Sequence, residues 1–260
     1  MIKEIQLFFT AIMFYTRIPC PSNIDHNSQA LNKASRYFTL IGWIVGILSF
    51  SVFHISFILF DQSISVILSL ITGILVTGAF HEDGLADVFD GFGGGWTKQK
   101  ILDIMKDSRI GAFGTISVVL LLVFKYSALN SILFNTDKWF FNLLIFISYH
   151  SLARLTSVNL IFTSQYVRED QDSKAKPVAK NFGLTEIIGA YFFGIFPLIF
   201  LVCQNWKFIL ILVPILLLLF LSKRYFEKRI DGYTGDCLGA VEQLAECTCL
   251  LFYIGLWKYI

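Results

Sequence analysis

The stretch His81-Glu-Asp-Gly-Leu-Ala-Asp-Val-Phe-Asp-Gly91 sets four carboxylates, Glu82, Asp83, Asp87 and Asp90, directly after a long apolar run. On a helix, Asp83, Asp87 and Asp90 stand at i, i+4 and i+7 and share one face. Like charges at that spacing repel. A helix that keeps such a triad at a membrane edge calls for a cation, and a divalent metal on oxygen ligands is the natural one. The plain alternative is a solvated helix end whose charges only mark the membrane boundary. Gly93, Gly94 and Gly95 follow. They fit either a loop offering backbone N–H groups to phosphate or a flexible linker.

Two further clusters carry chemistry. Ile104 to Gly114 brings Lys106, Asp107 and Arg109 together, with Asp103 and Asp107 as a second i, i+4 carboxylate pair. Arg109 has the planar fork that clamps a phosphate, whereas Lys106 serves equally as a positively charged membrane anchor. Gly232 to Glu246 supplies Asp236, Glu242 and Glu246. Glu242 and Glu246 are one helical turn apart within an apolar segment, where a charge costs about 2.5–3.5 kcal/mol on insertion scales. They call for a polar cavity, a metal or a basic partner. Arg154 is the evident partner, with His150 on the same face. A purely structural ion pair satisfies the same residues. His81 fits helix-end packing as well as a phosphate or base role.

Acid-rich patches beside scattered cations suit Mg²⁺-assisted chemistry on a diphosphate, with the general base drawn from the carboxylates. Read from residues alone, a metal-dependent transferase and an ion-coupled transporter both remain open.

The elements that must position these residues are apolar helices. The 260-residue chain is 55% hydrophobic and only 15% charged, against about 25% charged in a soluble domain. Its mean hydropathy is +0.66. The apolar excess lies in blocks of near-spanning length. These predict seven transmembrane helices, Thr39 to Phe60, Ser63 to Phe80, Ala112 to Phe134, Trp139 to Phe162, Leu184 to Cys203, Phe208 to Ser222 and Leu238 to Tyr259. The sixth is short. Lys125, inside the third, is expected to face the bundle interior or to snorkel. An N-terminal segment, Ile2 to Phe14, is too short to span and reads as an interfacial or re-entrant helix stopped by Pro19 and Pro21. The expected fold is therefore an all-α, polytopic membrane bundle, one domain over residues 1–260, with no internal repeat.

Four long connecting segments carry most of the basic residues: Arg17, Lys33 and Arg36; Lys98, Lys100, Lys106 and Arg109; Arg168, Lys174, Lys176 and Lys180; and Lys223, Arg224, Lys228 and Arg229. The positive-inside rule sets all four in the cytoplasm. Lys258 argues mildly against an external C-terminus. A net charge of +2 gives no reason to expect nucleic acid binding. The five cysteines form no Cys-x-x-Cys pair or finger spacing and read as reduced structural residues. No cleavage site for a signal peptide follows the start.

Taken together, the motifs resemble one family. His81-Glu-Asp-Gly-Leu-Ala-Asp-x-x-Asp-Gly91, Ile104-Met-Lys-Asp-Ser-Arg-Ile-Gly111 and Gly232-x-Thr-Gly-Asp-x-Leu-Gly-Ala240 with Glu242 are similar to the cobalamin synthases, the adenosylcobinamide-GDP ribazoletransferases. Phe14-Tyr-Thr-Arg-Ile-Pro19 looks like the family's entry motif, and the likeness covers essentially the whole chain.

The resemblance implies an inner-membrane, Mg²⁺-dependent enzyme. It joins adenosylcobinamide-GDP to α-ribazole, or its 5′-phosphate, with release of GMP at the end of cobalamin assembly. The motif positions carried over are Asp83, Asp87, Asp90, Asp107, Arg109, Asp236 and Glu242. Asp83, Asp87, Asp90 and Asp107 are the expected metal ligands. Asp83, Asp87, Asp236 and Arg109 are the expected catalytic groups, and His81, Lys106, Arg109, Arg154, Asp236 and Glu242 the expected substrate contacts. A homo-oligomer or association with other corrinoid enzymes fits the same reading. A CDP-alcohol phosphotransferase fits less well: Asp87 and Val88 stand where its Ala-Arg should follow Asp83-Gly84, and Gln99 replaces the glycine expected before Asp103.

Overall fold

The computed structural model describes residues 2–22, 24, 27–134, 138–168 and 182–257. The loop lysines Lys174, Lys176 and Lys180, and Lys258, lie outside them. The chain runs α1 (Ile2–Tyr15), α2 (Ser28–Ala34), α3 (Phe38–Ser56), α4 (Gln62–Thr77), α5 (Phe80–Gly94), α6 (Lys98–Lys106), α7 (Ala112–Phe134), α8 (Trp139–Thr163), α9 (Leu184–Gln204), α10 (Leu212–Ile230) and α11 (Gly235–Trp257). Among the described residues, six helical stretches are long and apolar enough to cross a membrane. The bent pair α4–α5 makes a seventh if it counts as one span. This is a multi-pass membrane bundle, as the hydropathy blocks predict.

α8 is its axis, buried along almost its whole length against α3, α9 and α11. Gly42 and Gly46 of α3 let that helix press on α8. A Cβ at Gly42 would lie 2.8 Å from the backbone of His150 and Ser151, and one at Gly46 2.8 Å from that of Phe146 and Ile147. Small residues four apart allow such close approach where lipid supplies no hydrophobic drive between helices.

Two apolar clusters stack along the bundle. One contains Phe38, Ile41, Leu85, Met105, Val158 and Val241, and the other Phe50, Leu129, Ile145, Phe208 and Tyr253. On α7, α8 and α11 the charged residues Lys125, Arg154, Glu242 and Glu246 fall between the two, forming a buried polar layer.

The turn between α4 and α5 aims the acidic stretch. Gly78 and Ala79 both adopt left-handed backbone, φ +69° and +57°, and the two helix axes differ by 86°. Ala79 holds that conformation without glycine's freedom, and Arg17, whose amide donates to the Val76 carbonyl at 2.7 Å, packs against Gly78. The apolar run predicted to span to Phe80 therefore stops at Thr77, and α5 lies across the bundle end. Its first turn carries Glu82 and Asp83, where the helix dipole favours negative charge.

Other boundaries also differ from the sequence reading. α10 does not end at Ser222 but continues through Lys223, Arg224, Lys228 and Arg229. These are good helix formers and suit a helix C-terminus. Lys223 also donates to the Thr163 carbonyl at 2.7 Å and Arg229 to the Gly95 carbonyl at 2.8 Å. α11 starts at Gly235, so Asp236 sits in its first turn and not before it. α1 ends at Tyr15, ahead of both prolines. There the Thr16 hydroxyl donates to the Ile12 carbonyl and accepts from the Ile18 amide.

Candidate active site

α5 and α11 cross with almost nothing between them. A Cβ on Gly84 would lie 3.0 Å from the Asp236 carbonyl oxygen, and one on Gly239 3.1 Å from that of His81. Gly84 and Gly239 are thus required by the close backbone contact, which brings Asp83 and Asp87 to Asp236 from more than 140 residues away in sequence. The three carboxylates line an open cleft of about 550 Å³, with Phe80, Lys106, Asp107, Tyr166 and Arg168 on its other walls.

The electrostatics are those of crowded acids. Partial burial, with Asp236 and Asp83 as neighbours, pushes the Asp87 carboxyl up to about 7 even though Arg168 opposes the shift. Arg168 donates to Asp236 Oδ2 at 2.7 Å and to the Met105 carbonyl at 3.2 Å.

Asp90, the third acid of the triad, faces elsewhere. Its Oδ2 accepts from the Gly111 amide at 2.6 Å and its Oδ1 from the Gly114 amide at 2.8 Å. It therefore caps α7. A Cβ at either glycine would run into that carboxylate, 2.4 and 2.3 Å away, which accounts for the Gly111-Ala-Phe-Gly114 spacing.

Arg109 is turned to solvent, its side chain 87% exposed and paired with Asp107 at 2.7 Å. That pairing holds the Asp107 carboxyl down at about 2. Lys106 and Asp107 line the cleft with Ser108 and Ile110, whereas Arg109 is not among its lining residues.

His81, Glu82, Arg154 and Glu242 lie on the other side of the α5–α11 crossing, in the polar layer. Arg154, 1% exposed, pairs with Glu242 at 2.8 Å, approaches Glu246 at 3.6 Å and donates to the His150 carbonyl at 3.0 Å. Lys125 faces inward, as expected, to Glu246 at 2.5 Å and to Gln243. His150 also bonds Glu246, and Gln243 bridges Glu82 and Glu242 at 3.2 and 2.9 Å. His81 Nδ1 is 3.8 Å from Glu242. The geometry is that of the structural ion pair, enlarged to a network.

The triglycine stretch is neither phosphate loop nor linker. Gly93 and Gly94 end α5 against Phe113 and Ile104, and the Gly95 amide donates to the Gly91 carbonyl. The residue that sequence reading passes over is Arg168. It sits in a run of loop cations with no motif of its own, and only the fold singles it out.

Three acids from two helices, an interior guanidinium and an open cleft can bind a cation and a phosphorylated substrate together. Relatives of the chain act on such a substrate by name. An adenosylcobinamide-GDP ribazoletransferase of Shewanella frigidimarina is 42% identical over 250 residues, 96% of this chain and 94% of its own length. One of Shewanella oneidensis is 42% identical over 247 residues, 95% and 93% of the two chains. No solved structure matches. The family model for cobalamin-5-phosphate synthase matches residues 7–254, and the chain belongs to that family.

Proposed function

We propose that the protein transfers the phosphocobinamide part of adenosylcobinamide-GDP to α-ribazole, or α-ribazole 5′-phosphate, at this cleft, releasing GMP, with Mg²⁺ as cofactor. The observation that carries the reading is the meeting of Asp83, Asp87 and Asp236 over a cleft open to a large substrate, in a chain whose 42% identical relatives bear that name.

The donor set fits Mg²⁺: hard carboxylate oxygens, where partial burial first and the neighbouring acids second raise Asp87 to about 7. Asp83 and Asp87 would hold the ion with Asp236 beside them, and Asp107, also on the cleft wall, would be the further ligand. Asp90 keeps α5 and α7 in register behind them. Bound there, Mg²⁺ would offset charge on the diphosphate and on the departing GMP.

A ribose hydroxyl of ribazole attacks the phosphorus nearest cobinamide. The new P–O bond forms as the bridging P–O bond breaks, and GMP leaves with the bond's electron pair. Asp87 or Asp236 takes the hydroxyl proton. Lys106, and Arg109 once it swings from Asp107, shield the leaving phosphate. His81, Arg154 and Glu242 act from behind, holding the crossing that sets the carboxylates.

Lys106 and Arg168 line the cleft, which supports a cytoplasmic face and the inner membrane. Both apolar clusters include residues of α3, α7, α8, α10 and α11, which supports one domain over 1–260. The largely uncovered α9 and α10 leave room for a second copy or another corrinoid enzyme beside it in the bilayer.

The test is reconstitution in lipid with adenosylcobinamide-GDP and α-ribazole, with and without Mg²⁺. GMP and a coupled corrinoid are expected only with the metal. Corrinoid uptake into the vesicles without GMP release would overturn the reading in favour of a transporter.

A pH dependence follows for metal binding itself. Burial and the neighbouring acids push the Asp87 carboxyl up to about 7, and a ligand carboxylate must lose its proton. Above that pH, Mg²⁺ affinity is expected to be flat. Below it, affinity should fall by up to about tenfold per pH unit, as one proton competes with one ion. Calorimetric Mg²⁺ titration on both sides of neutrality measures this, and an affinity that ignores pH removes Asp87 from the ligand set.

A further inference from the structure

We propose that Arg168 is the guanidinium that grips the substrate diphosphate, and that Asp236 is the carboxylate the diphosphate displaces from it. The inference rests on the transferase reading above.

A short clasp fixes its position. The Tyr233 amide donates to the Gln165 carbonyl at 2.9 Å and the Val167 amide to the Tyr233 carbonyl at 3.0 Å, an isolated parallel β-bridge centred on Tyr166 and Tyr233. Gly232 makes it possible: with φ +156°, a Cβ there would sit 2.1 Å from the Gln165 carbonyl oxygen. The Tyr166 and Tyr233 rings meet edge-on at 5.5 Å. The chain end of α8 is thereby bolted to the lead-in of α11, and Arg168, one residue past the clasp, is delivered onto the cleft wall.

Its side chain is 14% exposed, whereas that of Arg109 is 87% exposed and engaged by Asp107. One terminal nitrogen serves Asp236 and the Met105 carbonyl, and Nε is buried with no acceptor. A buried donor left unmade is unfavourable. A planar fork with unused donors, beside carboxylates that draw in cations, suits a diphosphate, whose oxygens would replace Asp236 as its partner.

The test uses full-length protein in nanodiscs, GDP as the probe in the presence of a chelator, and separate Mg²⁺ titrations. Arg168→Gln is expected to weaken GDP binding by about 10- to 100-fold, the loss of charge-assisted hydrogen bonds. Arg168→Lys should fall between, keeping charge without the fork. Mg²⁺ affinity should hold or rise in Arg168→Gln, because Asp236 loses a competing cation. GDP binding equal to wild type in Arg168→Gln overturns the inference, as does wild type that fails to bind GDP. So does a parallel fall of GDP binding, Mg²⁺ affinity and melting temperature, which would make Arg168 a strut. Failure of the transferase reading is distinct: wild-type protein would then release no GMP from adenosylcobinamide-GDP, whatever the Arg168 variants do.

Discussion

Replacing Asp83 with Asn is expected to lower GMP release by about a thousandfold or more while leaving the protein folded in the membrane. Asp83 is exposed on the cleft side of α5 and supports no described hydrogen bond of the bundle through its carboxylate. Asn has the same shape, so the melting temperature should hardly move. Surface changes of this kind usually stay within about 0.5 kcal/mol. What is lost is a formal charge at the position proposed to hold Mg²⁺ on the diphosphate. Metal stabilisation of a transferring phosphoryl group is worth several kcal/mol, and each ~1.4 kcal/mol is tenfold in rate. Turnover measured in lipid, with circular dichroism and melting as controls, decides it. Near-normal turnover removes Asp83 from the site. Asp90→Asn should behave differently: its carboxylate caps the α7 amides of Gly111 and Gly114, so stability should fall with activity.

The largest effect on stability is expected at Arg154. Arg154→Met leaves Glu242, fully buried, without its 2.8 Å cation. Removing one partner of a buried pair typically costs about 3–5 kcal/mol, because the remaining charge stays out of water. The Phe38 ring, with the guanidinium carbon 5.8 Å from its centre, loses a contact as well. The double change Arg154→Met with Glu242→Gln should recover much of the loss, since replacing both charges removes the uncompensated one. Thermal unfolding of the three variants in detergent gives the comparison. An Arg154→Met protein as stable as wild type would mean that the polar layer is not load-sharing, and would return Arg154 to a direct role on substrate.

An ion-coupled transporter would use the buried charges Arg154, Glu242 and Glu246 as its relay. In the structure they close on one another: Glu242 with Arg154, Glu246 with Lys125 and His150, and Gln243 between Glu82 and Glu242. They lie between two apolar clusters, where isolated charges would be costly. Their arrangement explains how a bundle of apolar helices holds a fixed register, with α7, α8 and α11 each contributing to one network.

Sequence alone determined the helical membrane bundle, because bilayer thickness dictates a run length that composition reveals directly. It also marked the acids, since charge beside apolar blocks is conspicuous, and it named Arg154 as the partner of Glu242 or Glu246; which of the two, and whether Lys125 faces inward or snorkels, it left to the fold. Tertiary structure decided which acids share a wall. Helical spacing gave Asp83, Asp87 and Asp90 one face, yet a carboxylate goes where its partners are, and the α7 amides claimed Asp90. The 86° turn at Gly78-Ala79 and the contact of Gly84 with Gly239 brought Asp236 to Asp83 and Asp87. Arg168 joined them through a β-bridge between distant segments. Periodicity reports the faces of single helices; the crossing of two backbones at two glycines is a property of the pair, and the cleft shared by Asp83, Asp87 and Asp236 lies there.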